Sequence, residues 1–173
     1  MFQRKLREQA GFTLIEMLIV VILLGIMAML IVPQISVSTD DARLNSMHTN
    51  LGAMRNAVEL YYYEHNNTYP GRNDNAGTAT SDAAVAATAF LEQLTQYTDI
   101  NGGVAVAKDA THIYGPYLKS VSLPMNPYNN SNAVVCDAAT DDISARTSGG
   151  TQGWRFYTLN GVLMGNDGAH DTL

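Results

Sequence analysis

Cysteine is nearly absent from this chain: Cys136 is the only one in 173 residues. A single cysteine makes no internal disulfide, and a CxxC metal or redox motif is excluded. Charge is scarce too. Asp, Glu, Lys and Arg make up 15% of the residues, below the usual quarter, against 46% hydrophobic. That is not the composition of a disordered chain. No basic run occurs, and ten Lys+Arg against sixteen Asp+Glu give a net charge of −6. Phosphate contact needs clustered cations, so no nucleic-acid partner is expected. GxSxG, P-loop and dinucleotide fingerprints are all missing. His48, His65, His112 and His170 are scattered, with no HExxH spacing. Cys136 has no motif linking it to a base and reads as a structural thiol. No enzyme is expected.

What the chain does have is one long apolar run. Met17 to Val32 is unbroken except for Gly25, and the segment from Phe12 to Val32 is interrupted only by Thr13 and Glu16. As a helix these 21 residues reach about 31 Å, close to the roughly 30 Å hydrocarbon core of a bilayer. A secretory signal peptide fits badly. Its apolar region is shorter, and no small-x-small cleavage site follows Val32. Arg4, Lys5 and Arg7 precede the run, which keeps the N-terminus cytoplasmic and places the rest across the membrane. The leader Met1–Gly11 carries these three cations and Glu8; its loss would leave 162 residues at net −8.

Glu16 does not belong in a plain anchor. A carboxylate at bilayer depth costs several kcal/mol and marks a functional candidate. The alternative is that it lies about one turn in and reaches the interface. The stretch Gly11-Phe12-Thr13-Leu14-Ile15-Glu16-Met17-Leu18-Ile19-Val20, behind a short basic leader and before about twenty apolar residues, resembles the processing signature of type IV pilins and type II secretion pseudopilins. The resemblance implies cleavage between Gly11 and Phe12 by a prepilin peptidase, N-methylation of Phe12, and extraction of the mature subunit into a helical filament. It also implies that Glu16 faces the α-amino group of a neighbouring subunit's Phe12, where pairing offsets the cost of a buried carboxylate. Recognition by the peptidase or methylase is the other role it allows Glu16.

The next stretch sets Leu44, Met47, Leu51, Met54, Val58, Tyr61 and His65 at alternating steps of three and four. This is a narrow apolar stripe at helical period, expected to lie on a small globular domain. The methionines are core filler in this reading. Pro33 is a place for a kink, and Asn66-Asn67 with Pro70-Gly71 ends the helix. A polar loop over 68–80 precedes a second helix, with Ser81 as N-cap and its end near Tyr97. Trp154–Leu159 reads as a strand, Asn160-Gly161 as a type I′ turn, and Val162–Met164 as the returning strand; Val134-Val135 offers a third. Gly115-Pro116-Tyr117-Leu118 and Leu123-Pro124-Met125-Asn126-Pro127 form an extended, proline-rich segment that is similar to a region of the major, G-type pseudopilins.

The expected fold is therefore α+β. A leader (1–11) precedes a transmembrane and filament-core helix (12–33). The amphipathic half of that helix (34–66) packs on a small C-terminal globular domain (67–173), an antiparallel β-sheet domain of pilin-like type with a short helix and a C-terminal β-hairpin. The resemblance implies a homopolymer built through the N-terminal helices, with minor pseudopilins, a prepilin peptidase/methylase, and an inner-membrane platform driven by a separate cytoplasmic ATPase as partners. Its place is the inner membrane, single-pass, with a periplasmic domain that later enters a filament. Calcium is the one cofactor it implies, and Asn166, Asp167 and Asp171 offer oxygen ligands in the C-terminal loop. Asp137, Asp141 and Asp142 lie in the loop before the hairpin. The alternatives are a type IV pilin serving adhesion, motility or DNA uptake, and a sensor or enzyme domain on a simple membrane anchor.

Overall fold

A computed structural model describes residues 11–140 and 148–170; for positions 30–38 it describes the backbone alone. The chain divides into two compact units, 1–42 and 43–173.

In the first unit the backbone is non-helical at Gly11, Phe12 and Thr13 and enters helix α1 (Leu14–Glu64) at Leu14. Side chains from Leu14 to Met29 are exposed on every face of the helix, the large apolar ones at 45–87%. The described side chains of the apolar run stop at Met29. Among the described residues no helix is long and apolar enough to cross a membrane.

The second unit begins inside α1 at Arg43. Its core is the narrow stripe expected from the sequence: Met47, Leu51, Met54, Val58, Tyr61 and His65 are buried, with Leu44 half-buried at the edge. Ala57 joins the same face. Helix α1 stops where two asparagines take positive φ, 52° at Asn66 and 57° at Asn67. Asparagine tolerates the left-handed region, and Asn67 N–H donates back to the Tyr62 carbonyl at 3.1 Å, closing the last turn.

Helix α2 (Ala83–Thr95) buries Ala86, Ala89, Phe90, Gln93 and Leu94. Its N-cap is Asp82, not Ser81: Asp82 Oδ1 accepts the N–H groups of Ala84 (2.8 Å) and Val85 (3.1 Å). A carboxylate one residue later matches the orphan donors of this helix start better than the serine. The short strands β1 (Tyr97–Thr98) and β2 (Val104–Ala105) form an antiparallel pair.

The main sheet has the order β3 (Val134–Asp137), β4 (Trp154–Tyr157), β5 (Val162–Gly165). The β4–β5 hairpin is antiparallel, but β3 runs parallel to β4, so the sheet is mixed rather than antiparallel throughout. The hairpin loop is not type I′. That turn needs positive φ at both central residues, and of Asn160 and Gly161 only Gly161 has it, at 73°. The loop instead spans Thr158–Gly161, closed by Gly161 N–H to the Tyr157 carbonyl at 2.9 Å. Gly161 is also held against a ring, since a Cβ there would lie 2.3 Å from Tyr69. Phe90 on α2 packs on Phe156 of β4 with ring centres 4.5 Å apart, and Trp154 is fully buried.

The proline-rich segment joins these layers. Tyr117 and Leu118 N–H groups both donate to the Leu94 carbonyl at the end of α2, and the Tyr117 hydroxyl donates to Glu64 Oε2 at 2.6 Å. Pro124 offers its carbonyl to Trp154 Nε1–H at 2.7 Å. The Asn126 side chain, fully buried, donates from Nδ2 to the Gly153 carbonyl and accepts the Tyr128 N–H.

Two further buried polar side chains tie loops to the helices. Gln93 accepts the Gly71 N–H and donates to carbonyls of Asn73, Asp74 and Gly102. His65 stacks on Tyr61 at 3.7 Å, bonds the Tyr61 carbonyl through Nδ1 (2.8 Å) and meets Thr98 Oγ1 through Nε2 (2.9 Å). Burial holds His65 below its ordinary pKa, against the Tyr61 carbonyl and the Glu64 and Asp99 charges, which favour the protonated ring.

Two outcomes follow for stability. Phe156→Ala opens a cavity under α2 and should cost about 3–5 kcal/mol in urea unfolding, whereas Leu60→Ala on the exposed side of α1 should cost well under 1 kcal/mol. For His65 the unfolded chain takes the proton first as pH falls. Its contribution is intact above about pH 6.5 and drains below it at up to about 1.4 kcal/mol per pH unit. Urea titrations at pH 5 and pH 8 should show the loss in the parent, and a His65→Gln chain should show a flatter dependence.

Candidate assembly site

The residues expected to be processed, Gly11 and Phe12, lie just before α1. Gly11 and Phe12 are exposed and outside regular structure, and Phe12 is 78% exposed. A Cβ at Gly11 would meet nothing within 4 Å. The Gly11–Phe12 bond is thus open to a peptidase without unwinding a helix.

Glu16 sits one turn in, and the sequence pattern had left its partner in this chain unread. Thr13 is the helix cap. Its backbone N–H donates to Glu16 Oε2 at 2.8 Å, and its hydroxyl donates to the same oxygen at 2.7 Å. Glu16 N–H returns to Thr13 Oγ1 at 3.3 Å. This is a capping box, T-x-x-E before an apolar run, in which two orphan donors are satisfied reciprocally. The signal was present in Thr13-Leu14-Ile15-Glu16 and points to Thr13 as the residue that orients the carboxylate. Both bonds from Thr13 end on Oε2.

The calcium residues behave differently. Asp171, Asp141 and Asp142 lie outside the described residues. Asp167 Oδ1 accepts the Ala169 and His170 N–H groups and faces His170 Nδ1, while Oδ2 faces Asn126 Nδ2 at 3.3 Å. Burial alone would raise its pKa, but these donors outweigh that and hold it below the usual carboxylate range. Asn166 is fully buried, and its Oδ1 accepts from Gly149 N–H and Arg155 Nε–H. Asp137 caps its own turn, accepting the Ala139 and Thr140 N–H groups. Among the described residues no group of three or more His, Cys, Asp or Glu converges for a metal, and the side-chain oxygens of Asn166 and Asp167 already accept hydrogen bonds. These residues do not fit a calcium ion as they stand.

Cys136 lies in β3, 2% exposed, and burial with the neighbouring Asp137 charge pushes its thiol up to about 12. A thiol so reluctant to ionise is no nucleophile at neutral pH.

Comparison with known proteins bears on the same N-terminal segment. Residues 6–32 match the family model "Prokaryotic N-terminal methylation motif". The chain is 37% identical over 67 residues to the type II secretion system core protein G of Vibrio cholerae, covering 39% of this chain and 45% of that one. It is 41% identical over 64 residues to the core protein G of Pseudomonas aeruginosa, covering 37% and 44%. A fimbrial protein of Neisseria meningitidis serogroup B is 29% identical over 148 residues, covering 79% of this chain and 83% of that one. The chain therefore matches under half the length of the core G relatives, and no solved structure gives a significant match. The segment that carries the methylation motif is thus similar to the type II secretion core G proteins, and a longer part of the chain is similar to a fimbrial protein.

Proposed function

We propose that this protein is a structural filament subunit of a type II secretion pseudopilus, processed at Gly11–Phe12 and assembled by packing of N-terminal helices. The observation that carries it is a helix exposed and apolar on all faces from Leu14 to Met29, opened by a capping box that holds a single carboxylate. A helix apolar all round is stable only in a bilayer or among other apolar helices. It therefore serves as the anchor before assembly and as the filament core afterwards.

Leaving lipid for a helix bundle gains little hydrophobic free energy, because lipid tails are as apolar as leucine. A polar contact then decides whether and in which register subunits join. Cleavage supplies it, since a new α-ammonium appears at Phe12, four residues before Glu16. Thr13 holds Oε2 on its own chain, and Oε1 accepts the ammonium of a neighbour. The carboxylate thus stays hydrogen-bonded before and after transfer, which limits its desolvation cost. N-methylation of Phe12 keeps that charge. The partners in this reading are other copies, minor pseudopilins, a prepilin peptidase/methylase and a membrane platform with its own ATPase. The globular unit faces the periplasm.

The longer match to a fimbrial protein, 79% of this chain, favours a type IV pilin as the second reading. Deletion in the native host separates the two. Loss of specific extracellular proteins with surface filaments intact is the expected result; loss of surface filaments with secretion intact transfers the protein to the pilins. Within either filament, Glu16→Ala should leave membrane insertion and cleavage normal and lower the assembled fraction at least about tenfold, from loss of a paired, dehydrated charge. Thr13→Ala should weaken assembly less, in line with a cap worth about 1 kcal/mol. Sheared-filament immunoblots against total processed subunit give both numbers, and unchanged assembly in Glu16→Ala would remove the pairing model.

A further inference from the structure

The resemblance implies calcium at the C-terminal loop, and the hydrogen bonding of the corner formed by Asn166 and Asp167 disagrees with it. The oxygens there already accept. The Asn166 carbonyl takes the Gly150 N–H at 3.3 Å, and its Oδ1 takes Gly149 N–H and Arg155 Nε–H, each at 3.3 Å. Asp167 is turned onto its own loop and onto Asn126. The polar atom left over is Asn166 Nδ2, buried and without a hydrogen-bond partner among the described residues.

That atom is a donor. Its hydrogens carry positive charge, so it calls for an acceptor and repels a cation. Turning the amide over would set Nδ2 against the Gly149 N–H and a guanidinium N–H, which is worse. A Cβ at Gly150 would lie 2.6 Å from Nδ2 and 2.7 Å from Gln152 Oε1, so glycine leaves this donor and acceptor reaching into one small shared space.

We infer that Arg155 is the cation of this corner: from its place on β4 it clasps Asn166 and joins the 149–153 and 166–170 segments without a bound metal ion. The strand register supports the role. Arg155 pairs with Met164, two residues before Asn166, so the guanidinium reaches the exit of β5 along one sheet face. Asn166 N–H then donates to the Gly153 carbonyl at 3.0 Å, and Asn126 reaches the same carbonyl, which locks the two segments from the other side. A charge-assisted bond of this kind is stronger than a neutral one and needs no ion from solution.

The test uses the full processed chain in detergent micelles, melted in about 1 mM calcium chloride and in EGTA, with radioactive calcium retention measured alongside. The expected result is the same melting temperature in both and no stoichiometric retention. Arg155→Met should melt about 5 °C lower in both buffers, and Arg155→Lys should recover only part of that, because an ammonium lacks the guanidinium fork. One calcium retained per chain, or a calcium-dependent rise of about 5 °C in the parent, overturns the inference. So does an Arg155→Met chain that melts like the parent. Should Arg155→Met fail to fold, the calcium and EGTA comparison on the parent decides alone.

Discussion

Burial of one stripe of α1, from Met47 to His65, is the contact on which the second unit rests. Helix α2, the mixed sheet and the proline-rich segment are each tied to it or to one another across it: Phe90 to Phe156, Tyr117 to Glu64, Arg55 to the Leu163 carbonyl at 2.7 and 3.1 Å. The same helix, earlier in the chain, has the opposite problem. From Leu14 to Met29 it offers exposed apolar side chains on every side. One continuous helix thus carries two solutions to burial, one completed within the chain and one left for a membrane or for other chains.

In the proposed filament, the Glu16 carboxylate makes the second solution specific. Apolar packing alone would allow many sliding registers among parallel helices, whereas a charge that must find an opposite charge allows few. The capping box adds that the carboxylate is never without a partner: Thr13 satisfies it in the single chain. The polar start of α1 and its apolar length are therefore one device, with the first setting position and the second supplying contact area.

What could be read from the residues beforehand follows from periodicity. The stripe of α1 has a local repeat, and six of its seven residues are buried as that repeat requires. The hairpin strands Trp154–Tyr157 and Val162–Gly165 also announce themselves by apolar content around a Gly-containing turn. The rest depended on choices that no local repeat encodes. Whether β3 pairs parallel or antiparallel with β4 is set by how the chain returns between them, not by Val134 or Val135 themselves. Gln93, Asn126 and His65 sit at positions where a pattern of apolar and polar letters expects either core or solvent, and each is a buried polar group bonded to distant backbone or hydroxyl. The Thr13–Glu16 box is local, a threonine three places before a glutamate at the start of an apolar run, and is encoded by that spacing alone.

The Arg55–Leu163 contact spans 108 positions, and with it comes an order of events in biogenesis. The face of α1 that holds the second unit together is laid down early, while the strands that cover it are made last. Contacts of such long sequence separation form slowly. The chain cannot fold piece by piece from its beginning. A chain that lost β4 and β5 would lose the Leu163 carbonyl that Arg55 holds and the Phe156 ring packed on Phe90.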